Sequence, residues 1–345
     1  MPSVTEAIRS TGIGAVPWLP PRTAERFQSI GLRCPECHDF LIAISYRSLA
    51  RGNSSAYCTR CGAAFEQKQG VWQGLPKRRL AYYAEFIEAS EKSCHERGGG
   101  GDDPEYYLAL PFGEPRRGDS SLWAMRAKTF RYLQKKLLAE IAEQGDTPLH
   151  ILDLGAGNGW MSHRLSQSGH RPVAVDLLTN AENGLGAALH YVRDLPELFP
   201  RFQGEFDNLP FEDGQFDCAI FNASFHYSGN FDRTIGEAIR CLRPGGVLII
   251  ADSPTYSTEG RDALLQRGSR RLDLEETWYS TEALTGREFL NPERLIALEV
   301  RHELEWSAHR CWYGIRRACR PWLAKWRNEV EPPQLVIYSA QVKTR

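Results

Sequence analysis

The spacing of apolar positions changes character three times along the chain. Up to about residue 30, proline and glycine punctuate the sequence around Pro17-Trp-Leu-Pro-Pro21 and no period is sustained, which predicts an irregular lead-in. Residues 31–75 hold short strand-like pieces around paired cysteines, a small module with its own logic. Residues 76–145 adopt three-to-four spacing, with Leu80, Tyr83, Phe86 and Ile87, then Leu122, Met125, Phe130, Leu133 and Leu137, and predict a helical linker or cap interrupted at Gly98-Gly-Gly-Gly101. From residue 146 onward, near-continuous apolar runs (Ile151-Leu-Asp, Pro172-Val-Ala-Val, Asp217-Cys-Ala-Ile-Phe, Gly246-Val-Leu-Ile-Ile-Ala) alternate with helical stretches. Strands apolar on both faces and joined by helices are the pattern of a doubly wound, mostly parallel α/β sheet. Residues 255–298 are expected to form an insertion in this domain, and Pro332 to Val342 an antiparallel closing strand at its edge.

The first of those strands runs into Ile151-Leu-Asp-Leu-Gly-Ala-Gly-Asn-Gly-Trp160. Glycines at 155, 157 and 159 let the backbone turn sharply off a strand and approach a ligand without Cβ atoms in the way, and the helix starting near Trp160 points its N-terminus at the same place. A dinucleotide fingerprint requires glycine or alanine at position 160, where this chain has tryptophan. Asp153 before the loop repels a pyrophosphate and attracts a ligand carrying a sulfonium and an ammonium. Asp176 ends the second strand, where a carboxylate can accept both ribose hydroxyls.

With these residues in place, the chain resembles the class I S-adenosylmethionine-dependent methyltransferases over roughly residues 148–254. Three further segments carry the likeness: Gly204-Glu-Phe-Asp-Asn-Leu-Pro-Phe211, Asp217-Cys-Ala-Ile-Phe-Asn-Ala-Ser-Phe-His-Tyr227 and Arg240-Cys-Leu-Arg-Pro-Gly-Gly246. The resemblance implies a Rossmann-like sheet of seven strands and S-adenosylmethionine as cofactor. It implies cofactor contacts from Asp153, Gly155, Ala156, Gly157, Gly159, Asp176, Leu177, Glu205, Phe206 and Asn222, with Asp207 competing with Glu205 for the adenine amino group. Methyl transfer is a direct displacement in which the protein mainly aligns the acceptor and excludes water. Where a base is wanted, His226 beyond the fourth strand is the catalytic candidate, against the reading that it only packs or caps. Arg126, beside Trp123 in the cap, can close over the cofactor and meet its carboxylate; an aromatic seam between cap and sheet is the competing reading. Asp252, Ser253 and Tyr256 end the fifth strand at the same rim, and Gly184 to Tyr191 is expected to pack as a short helix.

Cys34-Pro-Glu-Cys37 and Cys58-Thr-Arg-Cys61 have the spacing of a four-thiolate tetrahedral zinc site, with Gly62 easing the second turn. Four thiolates close the coordination shell, so the zinc is expected to be structural in a module too small to hold without a staple. Some ribosomal-RNA guanine methyltransferases are similar in carrying an N-terminal zinc module ahead of such a domain, which motivates an RNA substrate as the alternative.

Composition narrows the partners. Lys+Arg 42 against Asp+Glu 43 gives a net charge of -1, so no global basic field draws the chain to nucleic acid. No signal-like start or membrane-length apolar run is present, and the other five of the nine cysteines are unpatterned, which predicts a soluble cytoplasmic protein with free thiols. Between His309 and Arg327 basic residues interleave with Trp312, Tyr313, Trp322 and Trp326 and no acid occurs. This stretch reads either as an RNA- or lipid-facing surface or as a helix docked on the sheet through Trp312, Ile315, Ala318, Cys319, Trp322 and Trp326, the second being favoured. The expected function is methyl transfer to a small-molecule or lipid-like acceptor. RNA methylation is the alternative, and the acids at 153 and 176 argue against a non-catalytic relic.

Overall fold

The structure, a computed structural model, describes residues 29–39, 41, 44–45, 55–96, 101, 103–113, 120–145, 147–257, 290–327 and 332–343. The lead-in to residue 28, glycines 98–100 and residues 258–289 of the expected insertion lie outside the described residues.

A short antiparallel pair, β1 (Ser29–Ile30) and β2 (Ile44–Ser45), precedes β3 (Ser55–Tyr57), β4 (Ala64–Lys68) and β5 (Val71–Gln73). The α/β region contributes β6 (His150–Leu154), β7 (Arg171–Asp176), β8 (Arg201–Gln203), β9 (Phe216–Asn222) and β10 (Leu242–Ala251). These are followed by β11 (Pro254–Thr255), β12 (Ser307–His309), β13 (Gln334–Leu335) and β14 (Ile337–Gln341). One sheet runs in the order β12-β14-β10-β9-β6-β7-β8-β5-β4-β3. Strands β10, β9, β6, β7 and β8 are mutually parallel, and β14 is antiparallel to β10. The expected edge position of β14 is corrected: β12 pairs antiparallel outside it. From β12 to β8 this is the seven-stranded Rossmann-like sheet.

Two apolar clusters cover the two faces. Leu152, Leu154, Val173, Val175, Phe221, Leu248 and Ile250 point into one; Ile151, Ala174, Cys218, Ile220 and Ile249 point into the other. Alternation along fully buried strands puts a hydrophobic layer on each side, which is why these segments read as continuous apolar runs. Helix α1 (Lys77–Glu96) buries only Cys94, with Leu80 half out in solvent. Helices α2 (Pro104–Ala109) and α3 (Ser120–Tyr132) follow, the latter passing through a π-turn at Leu133–Leu137 into α4 (Leu138–Gln144). Tyr107, Trp123, Phe130, Leu133 and Leu138 from this segment join the second cluster with α5 (Trp160–Gln167). The Leu185–Arg193 segment forms 3₁₀ turns and buries Leu185, Ala187, Ala188 and Tyr191, as packing required. On the opposite face lie α6 (Phe231–Cys241) and α7 (Pro292–His302).

The cysteine-bearing strands do not form a detached knob. Strand β5 pairs in parallel with β8, so β3–β5 extend the sheet to ten strands. Strands β4 and β5 are joined by Gln69 (φ 51°) and Gly70 (φ 76°), the two left-handed residues of a type I′ hairpin turn. The buried Arg201 guanidinium donates to the carbonyls of Leu185 and Gln69, tying hairpin to sheet. Nearby, Leu32 bridges to Phe211, Arg33 N–H reaches Pro210 O at 3.1 Å, and the Asn208 amide reaches Pro35 O at 2.8 Å.

The docked C-terminal helix is overturned. Residues 315–326 form two short helices, Ile315–Ala318 and Arg320–Trp326, and Trp312, Ile315, Trp322 and Trp326 are 65–75% exposed. A periodic aromatic stripe has the same sequence whether it meets a sheet or solvent, and here it meets solvent.

A Cβ on Gly70 would collide with Arg201 Nη2, in a backbone conformation that L side chains rarely adopt. Gly70→Ala is therefore expected to destabilise the chain by about 1–3 kcal/mol in denaturant melts, with β5–β8 amides losing exchange protection first.

Candidate functional site

All six parallel strands, β5 to β10, direct their C-termini to one rim, where open α/β sheets place ligands. Strand β6 leaves the sheet at Leu154 and enters a loop in which Gly155 (φ 78°), Gly157 (φ 54°) and Gly159 (φ 76°) are all left-handed. The N–H groups of Gly155 and Ala156 donate to Val175 O, laying the loop across the end of β7. A Cβ on Gly155 would collide with Ser224 Cβ, and one on Gly159 would meet the Phe199 ring at 2.9 Å. Glycine is thus required for close approach as well as for φ.

Asp176, at the end of β7, accepts the Gly157 N–H on one oxygen and the Leu178 N–H on the other, both at 2.8 Å. Burial pushes its carboxyl up to about 6 while those donors pull it down. Leu177 follows directly, its carbonyl accepting the Gln203 amide at 3.1 Å. Asp153 lies beneath the loop, 1% exposed, and accepts the Ser162 hydroxyl of α5 at 2.7 Å; burial lifts it to about 7. It therefore acts on the loop from below. Asn222 ends β9, and its buried Oδ1 has no hydrogen-bond partner among the described residues. Next to it, Ser224 Oγ donates to Leu154 O at 2.5 Å, locking the β9 turn to the glycine loop.

The segment after β8 brings in residues that the sequence did not single out. Glu205 is 4% exposed and accepts Arg79 Nε at 2.7 and 3.0 Å, with a further Arg79 nitrogen on the same carboxylate and Tyr83 OH at 3.1 Å. Arg79 and Tyr83 are one turn apart on α1, so the cap holds the carboxylate expected at the adenine. Phe206 packs edge-on against Phe221, its ring tip 3.2 Å from where a Gly155 Cβ would be. Arg79 sits 126 positions from its partner, and nothing local in the sequence signals such a pair.

At the other side of the rim, His226 follows β9 with Nδ1 3.4 Å from Ser253 Oγ and its ring against Tyr227. Asp252, strained at φ 50°, accepts the Thr129 hydroxyl on Oδ1 at 2.7 Å, and the Tyr313 hydroxyl lies 3.3 Å from the same oxygen. Burial raises its carboxyl, opposed by Thr129 and by the Arg126 charge. Arg126 stacks over Trp123, whose ring meets Trp160 of α5 edge-on. The structure thus brings Arg126 to the β10 end of the rim and Glu205 to the β8 end, with the glycine loop between.

The four cysteines Cys34, Cys37, Cys58 and Cys61 converge with their sulfurs all within 4.8 Å of one another. The knuckles are near copies. Cys34 N–H bonds Asp39 O and His38 N–H bonds Cys34 O; Cys58 N–H bonds Ala63 O and Gly62 N–H bonds Cys58 O. His38 (φ 62°) holds the left-handed position that Gly62 (φ 74°) holds in the second knuckle, which accounts for a histidine beside Cys37 without making it a ligand. Removing the Arg79 guanidinium would leave the Glu205 carboxylate buried without its main partner. Arg79→Ala is expected to cost about 1–3 kcal/mol, and Glu205→Gln in the same chain to recover much of that, giving a non-additive double-mutant cycle in thermal melts.

Residues 152–250, spanning strands β6 to β10, match the methyltransferase domain family. Among relatives, the chain is 28% identical over 201 residues to malonyl-[acyl-carrier protein] O-methyltransferase of Methylococcus capsulatus, covering 58% of this chain and 66% of that protein. It is 28% identical over 138 residues to sarcosine/dimethylglycine N-methyltransferase of Halorhodospira halochloris, covering 40% and 49%. The chain therefore spans between about half and two thirds of these relatives' lengths. Among solved structures, 1,6-didemethyltoxoflavin-N1-methyltransferase of Burkholderia thailandensis aligns at TM-score 0.45 and 19% identity, over 83% of this chain and 98% of that one. No helix among the described residues is long and apolar enough to cross a membrane. Residues 152–250 thus resemble a methyltransferase domain by sequence, and they lie in a Rossmann-like sheet.

Proposed function

We propose that the chain is an S-adenosylmethionine-dependent methyltransferase acting on a small-molecule acceptor. The observation that carries this is the loop Gly155–Gly159, left-handed at each glycine and stapled by Gly157 N–H to the carboxylate of Asp176. The residues present fit such a cofactor. Asp176 retains lone pairs for a ribose diol, and the buried Asn222 Oδ1, without a hydrogen-bond partner among the described residues, suits an ammonium donor. Phe206 and Leu177 supply apolar walls for a base, Glu205 an acceptor at its edge, and Arg126 a cation for a carboxylate. Ala156 and Gly159 shape the loop, and Asp153 supplies a carboxyl that burial pushes up to about 7 and whose ionised form a cationic ligand would favour.

When bound, S-adenosylmethionine supplies a methyl group on a good leaving group. The chain's residues then orient the acceptor and keep water out. His226, beyond β9 and within reach of Ser253, is the proposed base for an acceptor that loses a proton. Both relatives named above carry small-molecule or carrier-bound acceptors in their names, which supports that class here. The exposed Trp312, Trp322 and Trp326 with their neighbouring arginines are the observation that favours an RNA acceptor as second reading. That reading requires RNA affinity falling steeply with salt.

We assign Zn²⁺ to the four-cysteine cluster. The Sγ pairs Cys34–Cys61 and Cys37–Cys58 lie 3.6 and 3.4 Å apart. Zn–S bonds of ~2.3 Å in a tetrahedron set such separations near ~3.8 Å. With four thiolates the ion has a closed shell and a structural role. The proposed organisation is a zinc module over residues 31–75, a cap over 76–145 and the methyltransferase domain from 146 onward.

S-adenosylhomocysteine at a hundredfold over Kd is expected to stabilise the chain by about 2.7 kcal/mol, and no shift in melting would overturn the cofactor assignment. In the free protein burial pushes the Asp176 carboxyl up to about 6, above the ordinary carboxylate value. A diol prefers the ionised form, so affinity should rise as pH climbs through that value and level off above it, and Asp176→Asn should flatten the rise. A strong chelator is expected to strip about one zinc per chain, read by elemental analysis, and to lower the melting temperature, with Cys61→Ser imitating the effect.

A further inference from the structure

Helix α1 is 20 residues long and buries only Cys94, yet its side chains meet three of the loops at the rim. Arg79 and Tyr83 hold Glu205 after β8. The Phe86 ring meets Tyr227 after β9 with centroids 5.9 Å apart, and Glu91 Oε1 accepts the Asn180 amide after β7 at 3.0 Å. Asn180 is itself a fixed point, its Oδ1 accepting the N–H groups of Glu182, Asn183 and Gly184. Positions 79, 83 and 86 have the three-to-four spacing of one helix face, so one stripe of an otherwise solvated helix does most of this work. A helix that buries so little has few apolar contacts to hold it, and its polar contacts with the rim loops are its main attachment.

The two oxygens of Glu205 are used unequally. Oε2 accepts Arg79 Nε at 2.7 Å, a further Arg79 nitrogen and the Tyr83 hydroxyl at 3.1 Å. Among the described residues, Oε1 accepts only Arg79 Nε, at 3.0 Å. A carboxylate oxygen has two lone-pair sites, so the clamp fills Oε2 and leaves one site on Oε1. The side chain is 4% exposed and cannot turn without breaking the guanidinium fork. Phe206, the next residue, reaches the Gly155 turn, which sets this carboxylate at the glycine loop's side of the rim.

We propose that Arg79 and Tyr83 are positioning residues for the cofactor's base: they fix Glu205 so that Oε1 alone is offered, as an acceptor that selects a 6-amino purine over a 6-oxo purine. The proposal rests on the methyltransferase reading of the site. A 6-amino group donates to Oε1, whereas a 6-oxo group turns an oxygen toward an oxygen and leaves the buried acceptor unmet. Coupling between sites is reciprocal, so a base held on Glu205 also holds α1 on the rim.

The test is calorimetric titration of the full-length protein with S-adenosylhomocysteine and, separately, with S-inosylhomocysteine, with amide hydrogen exchange of α1 followed in each complex. The wild type is expected to bind the adenosyl compound at least about tenfold more tightly, and α1 to exchange more slowly with it than with the inosyl compound. Arg79→Ala should bring the two affinities within about threefold of each other. Tyr83→Phe should move the ratio the same way by less, and Arg79→Lys, which keeps the charge and loses the fork, should recover part of it. The ratio separates positioning from folding, because a general loss of stability weakens both complexes alike. Equal affinity for the two compounds in the wild type, or a wild-type ratio kept by both Arg79→Ala and Tyr83→Phe below their melting temperatures, overturns the proposal and leaves the methyltransferase reading standing. Binding of neither compound by the wild type overturns both.

Discussion

The parallel pairing of β6 with both β7 and β9 is the constraint on which the rest depends. A strand buried on both faces must satisfy its backbone in the ladder and its side chains in two apolar layers, leaving nothing along its length for chemistry. Polar work is displaced to the ends, and parallel strands put all their C-terminal ends on one rim. The glycine loop, Asp176, Asn222 and Asp252 are neighbours for that reason, although the sequence spreads them widely. The contact between Gly155 and Ser224, backbone against side chain with no room for a Cβ, then fixes the β6 and β9 loops to one another.

The acids at the rim differ in surroundings and hence in character. Asp176 faces backbone donors, Asp153 a single hydroxyl, and Glu205 a bidentate guanidinium. Burial pushes the first two upward, the Asp176 charge adds to the push on Asp153, and hydrogen-bond donors favour the charged form. The cap supplies the strongest of those partners. Arg79 of α1 thereby makes the helical segment part of the cleft's electrostatics rather than a passive cover.

Legibility in the sequence followed locality. The doubly wound parallel sheet was readable because buried strands leave continuous apolar runs, its count of seven strands came only with the family resemblance, and the loop was readable because glycines 155, 157 and 159 each answer to a left-handed backbone. The cysteine knuckles were readable from spacing, with Gly62 as the turn residue of the second, whereas the left-handed His38 of the first carries no such mark in the sequence. Three features were not. Parallel pairing of β5 with β8 is a backbone contact that imposes no side-chain pattern. The Arg79–Glu205 pair joins residues whose sequence neighbourhoods carry no signal of each other. The exposure of Trp322 and Trp326 depends on what lies opposite, and periodicity describes only the helix itself.

The junction of β5 with β8 also orders events during synthesis. Strand β5 emerges from the ribosome before the cap, β6 and β7, yet its only sheet neighbour on that side is β8. The hairpin of β4 and β5 must therefore wait with one edge unpaired until the middle of the α/β domain has been made. A cysteine cluster able to close early gives that waiting hairpin a fixed shape and keeps a bare strand edge from pairing with the wrong chain.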